Sequence, residues 1–212
     1  LNHNSAAEFI RDHTVLMSPA LAPGIVLYLA SEITPLWQAS EAFLQRHHIA
    51  PPFWAFAWPG SQALACHVAR HPELVAGRQV LDFAAGSGLA AIACAKAGAA
   101  VDAADIDPLA CVAMQLNAAA NAVSLNILEG DIVGAPCRWD VILCGDVCYE
   151  APMAAYILPW LRECAANATV IMADPGRAYA PRDGFTEIAR LCVPALAELE
   201  DSDSREVVIL RF

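Results

Sequence analysis

The sequence predicts a three-layer α/β fold: a sheet that is parallel except for a late reversed strand, with helices covering both faces. Three observations carry this. The runs at 80–83, 99–104, 125–128, 139–145 and 169–173 are apolar enough to be buried on both faces, as strands of a parallel sheet are. Helical stretches stand between these runs, so the strands are joined by crossovers. The last segments, ending at Phe212, close the chain as a hairpin.

In chain order, a first helix is expected from Ser5 to about Leu16, ended by Ser18-Pro19 and Pro23-Gly24. The run Ile25 to Ala30 fits a short strand or a buried helical turn, and periodicity does not separate the two. Thr34-Pro35 opens a second helix through Trp37, Phe43 and Leu44. Residues 1–50 are thus read as an N-terminal helical arm on a main domain of residues 51–212. Pro51 to Gly60 carries four aromatics, Phe53, Trp54, Phe56 and Trp58, and Ser61 is the expected cap of a helix from Gln62 to Ala69. After the first core strand a helix runs from Leu89 to Ala97, with Gly98 in the place of a C-cap glycine. Further helices are expected over 108–121, with Asp107 as cap, over 152–164 and over 183–191. A strand of uncertain extent falls between Ala195 and Glu200, and a last one covers 206–212.

Composition bounds the function. A chain of 212 residues, 58% of them hydrophobic, holds one domain with a sizeable core. A formal net charge of -11 argues against nucleic acid and favours a basic partner. The uncharged stretch from His13 to Ser31 is broken by Pro19, Pro23 and Gly24, so neither a membrane span nor a secretory signal is expected. The eight cysteines form no C-x-x-C pair, which fits reduced, buried thiols and no metal site. A cytoplasmic monomer is expected, or one in the mitochondrial matrix if the source is eukaryotic.

The chemistry gathers around V-L-D-F-A-A-G-S-G-L-A-A-I, residues 80–92. Gly86, Ser87 and Gly88 form a turn with almost no side chain, followed by a helix whose unpaired N–H groups face whatever lies over it. The spacing Gly86-x-Gly88-x-x-Ala91, with Asp105 at the end of the next strand, fits a dinucleotide site in which Asp105 takes the ribose hydroxyls. Asp82 inside the first strand favours a cationic ligand instead, because an anion there repels a pyrophosphate. S-adenosylmethionine has both a ribose and a cationic end. Asp131 follows the third core strand as Asp105 follows the second, and with Ile132 it suits an adenine pocket. Asp146 and Tyr149 follow the fourth strand, and Asp174 ends the fifth, so two neighbouring strands end in acids and make an anionic mouth. The aromatic run reads either as a core plug between arm and domain or as a wall in which one ring, Trp58, faces a cofactor or a reacting cation.

The motifs W-P-G, V-L-D-F-A-A-G-S-G, A-A-D-I-D-P, E-G-D-I, W-D-V-I-L-C-G-D-V-C-Y-E and D-P-G-R resemble those of the family 16 seven-strand methyltransferases that use S-adenosylmethionine. Within it, the likeness is to the lysine methyltransferases that act on the β subunit of electron transfer flavoprotein, and it covers about residues 21–212. The resemblance implies a Rossmann-like seven-strand sandwich. It also implies S-adenosylmethionine contacts at Trp58, Ala84, Ala85, Gly86, Asp105, Asp131, Ile132 and Gly145; the turn and strand ends add Asp82, Gly88 and Ile106 to the expected cofactor site. The D-x-x-Y motif of the family falls on Asp146 and Tyr149 as catalytic residues, with Glu150, Asp174 and Arg177 facing the substrate lysine. Ala84 departs from the pattern, which has a glycine there. Other protein substrates, a ribosomal protein among them, and a non-catalytic adenosyl-binding module are the alternatives; the absence of an N-P-P-Y motif after the fourth strand lowers glutamine methylation.

Overall fold

The computed structural model describes residues 3–31, 51–194 and 203–212. Helix α1 spans His3–His13, and β1 (Val15–Met17) pairs antiparallel with β2 (Leu27–Leu29). The expected helix through Leu16 therefore stops three residues short. Thr14 is the reason: its hydroxyl donates to the Ile10 carbonyl at 2.5 Å, taking a helical acceptor, and the β-branched Thr14-Val15 pair favours extended backbone. The open choice over Ile25 to Ala30 falls to a strand. The helix expected from Thr34 lies outside the described residues, as does the strand expected between Ala195 and Glu200.

Helix α2 (Pro59–Arg70) begins at Pro59 rather than after Ser61, with proline in the first turn where its missing N–H costs nothing. Ser61 does not cap it; its hydroxyl donates to the Trp58 carbonyl at 2.9 Å. Then follow β3 (Gln79–Phe83), α3 (Leu89–Lys96), β4 (Ala100–Asp105), α4 (Pro108–Ala120), β5 (Asn126–Glu129), β6 (Val141–Gly145), α5 (Ala151–Cys164), β7 (Thr169–Asp174), β8 (Thr186–Pro194) and β9 (Ser204–Arg211). The seven-stranded sheet has the order β5-β4-β3-β6-β7-β9-β8. β3 pairs in parallel with both β4 and β6, so the strand order reverses at β3 and opens a crevice at its carboxyl end. β9 runs antiparallel to β7, which is the late reversal expected.

Both faces of the sheet are covered. Val80, Val141, Leu143 and Ile171 pack against Leu64, Leu89, Ile92 and Met114 of α2, α3 and α4. Leu81, Phe83, Ile142 and Met172 pack against Ile157, Trp160 and Leu161 of α5. A third cluster seats α1 and the Trp54-Ala55-Phe56 segment on Leu109 and Ala113 of α4.

The helix expected over 183–191 is overturned: these residues enter β8, antiparallel to β9. Phe185, Ile188 and Leu191 mimic a helical stripe in the sequence. The competing alternation wins because Ala189, Leu191 and Val193 reach the core while Arg190 and Cys192 stand outside. A register shift between Glu187 and Ala189 throws Ile188 outward, where it is 38% exposed.

Candidate active site

The carboxyl ends of β3, β4, β5, β6 and β7 form one rim, and the residues singled out in the sequence lie along it. The turn after β3 sets the first corner. Gly86 and Gly88 have φ of 53° and 76°, and Ala84 adopts φ 54°, a left-handed value that a side chain resists and the glycine of the family pattern does not. Asp82 lies beneath this turn, 3% exposed, its Oδ2 accepting the Ala91 N–H at 2.8 Å. It thus satisfies one of the orphan donors at the start of α3. Burial pushes its carboxyl up to about 7, against the pull of that hydrogen bond.

Asp105 ties the turn to β4. Its Oδ2 accepts the Gly86 N–H at 2.9 Å and its Oδ1 the Asp107 N–H at 3.0 Å. Each oxygen keeps a further acceptor position, which is what a ribose diol requires. Burial raises its carboxyl above the ordinary range. Asp107 caps α4 through the Leu109 N–H, as expected. Ile106 next to Asp105 is 68% exposed, an apolar side chain left uncovered at the strand end.

Asp131 stands exposed after β5, its Oδ1 accepting the Val133 N–H at 2.9 Å. Its Oδ2 accepts the hydroxyl of Tyr156, from α5, at 2.8 Å. Sequence reasoning missed Tyr156, because nothing along α5 marks its one tyrosine as facing the end of β5. Ile132 is half-buried and packs on the α5 side of the sheet.

At the end of β6, Gly145 and Gly60 press together. A Cβ on Gly60 would stand 2.7 Å from the Ala173 carbonyl oxygen and 2.9 Å from the Asp146 nitrogen; one on Gly145 would stand 2.9 Å from the Ser61 nitrogen. Only glycine at both positions lets the first turn of α2 sit on the ends of β6 and β7. That contact brings the Gly60 N–H to Asp146 Oδ2 at 2.6 Å. Asp146 adopts φ 58° and is 8% exposed, with Arg177 Nη2 3.2 Å from its Oδ1.

Tyr149 turns the other way. It is 41% exposed and its ring lies 5.8 Å from that of Phe53, which in turn lies 5.9 Å from Trp58. Trp58 is fixed by donating Nε1–H to the Phe53 carbonyl at 2.8 Å. Phe53, not singled out in the sequence, joins the two expected rings into a half-open aromatic wall. Burial, then the charges of Glu150 and Asp105, raise the Tyr149 phenol, so it stays protonated at neutral pH. Burial also pushes the Cys148 thiol up to about 12, which leaves no thiolate at this rim position. Glu150 is exposed at the start of α5. Asp174 is 3% exposed, its Oδ1 accepting the N–H groups of Gly176 and Arg177, both at 2.7 Å.

A clamp from α4 holds the glycine turn from behind. Asn117, fully buried, donates to the Ser87 carbonyl at 2.9 Å and accepts the Tyr28 N–H at 2.7 Å. Asn121, one helical turn on, accepts the Val26 N–H and donates to the Val26 carbonyl. Two asparagines four apart in an apolar helix were the available signal, since that spacing aligns them on one face.

Comparison with known proteins gives this geometry its setting. The family model of ribosomal protein L11 methyltransferase (PrmA) matches residues 66–146. An electron transfer flavoprotein beta subunit lysine methyltransferase from Danio rerio is 38% identical over 80% of this chain and 67% of its own length. The Homo sapiens protein of the same name is 35% identical over 80% of this chain and 66% of its own. Among solved structures, magnesium protoporphyrin IX methyltransferase from Synechocystis PCC 6803, with bound S-adenosylmethionine, has a TM-score of 0.53 at 20% identity, covering 72% of this chain and 78% of that one. The last likeness shows the fold. The sequence matches make the chain a methyltransferase and a member of the family of the electron transfer flavoprotein β-subunit lysine methyltransferases.

Proposed function

We propose that the protein transfers methyl groups from S-adenosylmethionine to lysine ε-amines of the electron transfer flavoprotein β subunit. One observation carries the donor assignment: the Gly86 N–H donates to Asp105 Oδ2, so the bare turn and the diol acceptor are a single unit. The residues fit the group. Asp105 suits the ribose, Ala84 to Gly88 leave main chain open to its amino-acid end, and Asp131 with Ile132 lies one strand further along for adenine. When bound, S-adenosylmethionine supplies an electrophilic methyl on a sulfonium.

The chain's own residues supply binding and alignment. A lysine side chain with a reference pKa near 10.4 must shed a proton to solvent at the open rim before its nitrogen can attack. The net charge of -11 and the acids along the rim draw the cation in. Phe53, Trp58 and Tyr149 offer ring faces and exclude water, and Asp146 orients the amine. Asp174 and Arg177, nearly or half buried, work from behind Asp146, while the exposed Glu150 meets the approaching protein.

The test is incubation of purified flavoprotein with labelled donor and mass spectrometry of its lysines. Asp146→Asn is expected to lose turnover by roughly 10²-fold while S-adenosylhomocysteine binds within a few-fold of the parent. An unlabelled β subunit rejects the substrate. Stabilisation by NADH and not by S-adenosylhomocysteine rejects the donor.

A further inference from the structure

Arg177 is not where a substrate-binding arginine belongs. Its side chain is 22% exposed and lies against Asp146, whose own side chain is 9% exposed. Asp146 is held on both oxygens: Oδ2 by the Gly60 N–H and Oδ1 by Arg177 Nη2. The arginine reaches it because Asp174, at the end of β7, accepts the N–H groups of Gly176 and Arg177. Those two bonds, with Gly176 at φ 84°, curl the D-P-G-R turn back over the sheet end. An acid shapes the turn, the turn aims the arginine, and the arginine meets the acid of the neighbouring strand.

We propose that Arg177 is a positioning residue for methyl transfer: its guanidinium keeps the Asp146 carboxylate ionised and turned toward Gly60, and Asp174 sets the arginine. The proposal rests on the reading of Asp146 as the residue that orients the amine. A carboxylate enclosed this far needs a cation or it takes up a proton. With both oxygens already accepting, Asp146 offers the amine a fixed negative charge, which is orientation and not proton uptake. The other groups around it do not replace the arginine. The first turn of α2 brings Pro59, Gly60, Ser61 and Gln62, none charged. The end of β7 brings Asp174, and its own loop brings Cys148, Tyr149 and Glu150. Among these described residues every charge is negative, and Arg177 is the cation paired with Asp146.

The experiment compares the parent, Arg177→Gln, Arg177→Lys and Asp146→Asn on flavoprotein, with kcat and KM measured across pH, plus binding of S-adenosylhomocysteine. Arg177→Gln is expected to lower kcat by up to about a hundredfold with KM for the donor unchanged. It should move the acid limb of the kcat profile up by about 1 pH unit or more, because without the cation both the Asp146 carboxylate and the amine held against it keep a proton to higher pH. Arg177→Lys should recover part of both. An unshifted acid limb in Arg177→Gln overturns the proposal, as does a raised KM for flavoprotein at parental kcat, which would make Arg177 a substrate contact. If Arg177→Gln fails to fold, the limb of Arg177→Lys decides: parental in position and rate, it overturns the proposal. Full turnover by Asp146→Asn rejects the reading of Asp146 itself, whichever way Arg177 behaves.

Discussion

Replacing Gly60 by alanine tests whether the first turn of α2 is the support of the site. The added methyl would lie 2.7 Å from the Ala173 carbonyl oxygen and 2.9 Å from the Asp146 nitrogen, both main-chain atoms that cannot swing aside. Crowding of this kind costs about 1–3 kcal/mol. If α2 withdraws to relieve it, the 2.6 Å bond from Gly60 N–H to the Asp146 carboxylate is lost, a charge-assisted bond worth about 1.5–3 kcal/mol. Alanine returns about 1 kcal/mol of helix propensity. Since withdrawal of α2 replaces one loss by the other, the net is about 0.5–2 kcal/mol, and for a chain of this size each kcal/mol moves Tm by about 2–4 °C. A fall of roughly 1–8 °C is expected in thermal unfolding, together with loss of turnover, since Asp146 moves with its partner. Gly24→Ala, where a Cβ meets no atom within 4 Å, is the control and should leave both unchanged. A Gly60→Ala protein that melts within about 1 °C of the parent and turns over normally refutes the argument.

Two further outcomes follow from the site. Asp82 has its carboxyl raised from 3.8 to about 7, so the folded state holds a proton that the unfolded chain gives up from pH 4 onward. Its contribution to stability is full below pH 4, falls as pH rises through the window from about 4 to 7, and is then level, a span of about 4 kcal/mol at most. Asp82→Asn keeps an acceptor for Ala91 and should flatten that slope in Tm measured between pH 4 and 8; an unchanged slope means that Asp82 titrates normally. Tyr156→Phe removes the donor to Asp131 without emptying the ring's place. It should weaken S-adenosylhomocysteine binding and raise KM for the donor by no more than a few-fold, with kcat unchanged. Unchanged donor binding in a calorimeter would separate Tyr156 and Asp131 from the adenine pocket.

Local chemistry alone located most elements. Strands β3, β4, β6 and β7 are mostly apolar because both faces are covered, Asp82 and Asp102 being the interior exceptions, and glycine, proline and Asp107 mark where helices begin and end. The acids that close these strands were legible for the same reason: a charge directly after a buried run can only lie at a sheet end. β8 was not legible. Phe185, Ile188 and Leu191 satisfy a helical spacing as well as Ala189, Leu191 and Val193 satisfy an alternating one, and only pairing with β9 chooses between them.

The amino-acid order by itself determined the parallel core, the bare turn at Gly86 and the row of carboxylates after successive strands, because each depends on a residue and its near neighbours. Only the tertiary structure decided which carboxylates are already engaged. Asp82 is turned under α3, Asp174 is spent on its own turn, and Asp146 is held between Gly60 and Arg177. The Gly60 to Asp146 bond joins residues 86 apart and the Arg177 to Asp146 bond residues 31 apart. Bonds over such separations exist only once helix and sheet have packed, so no spacing along the chain announces them.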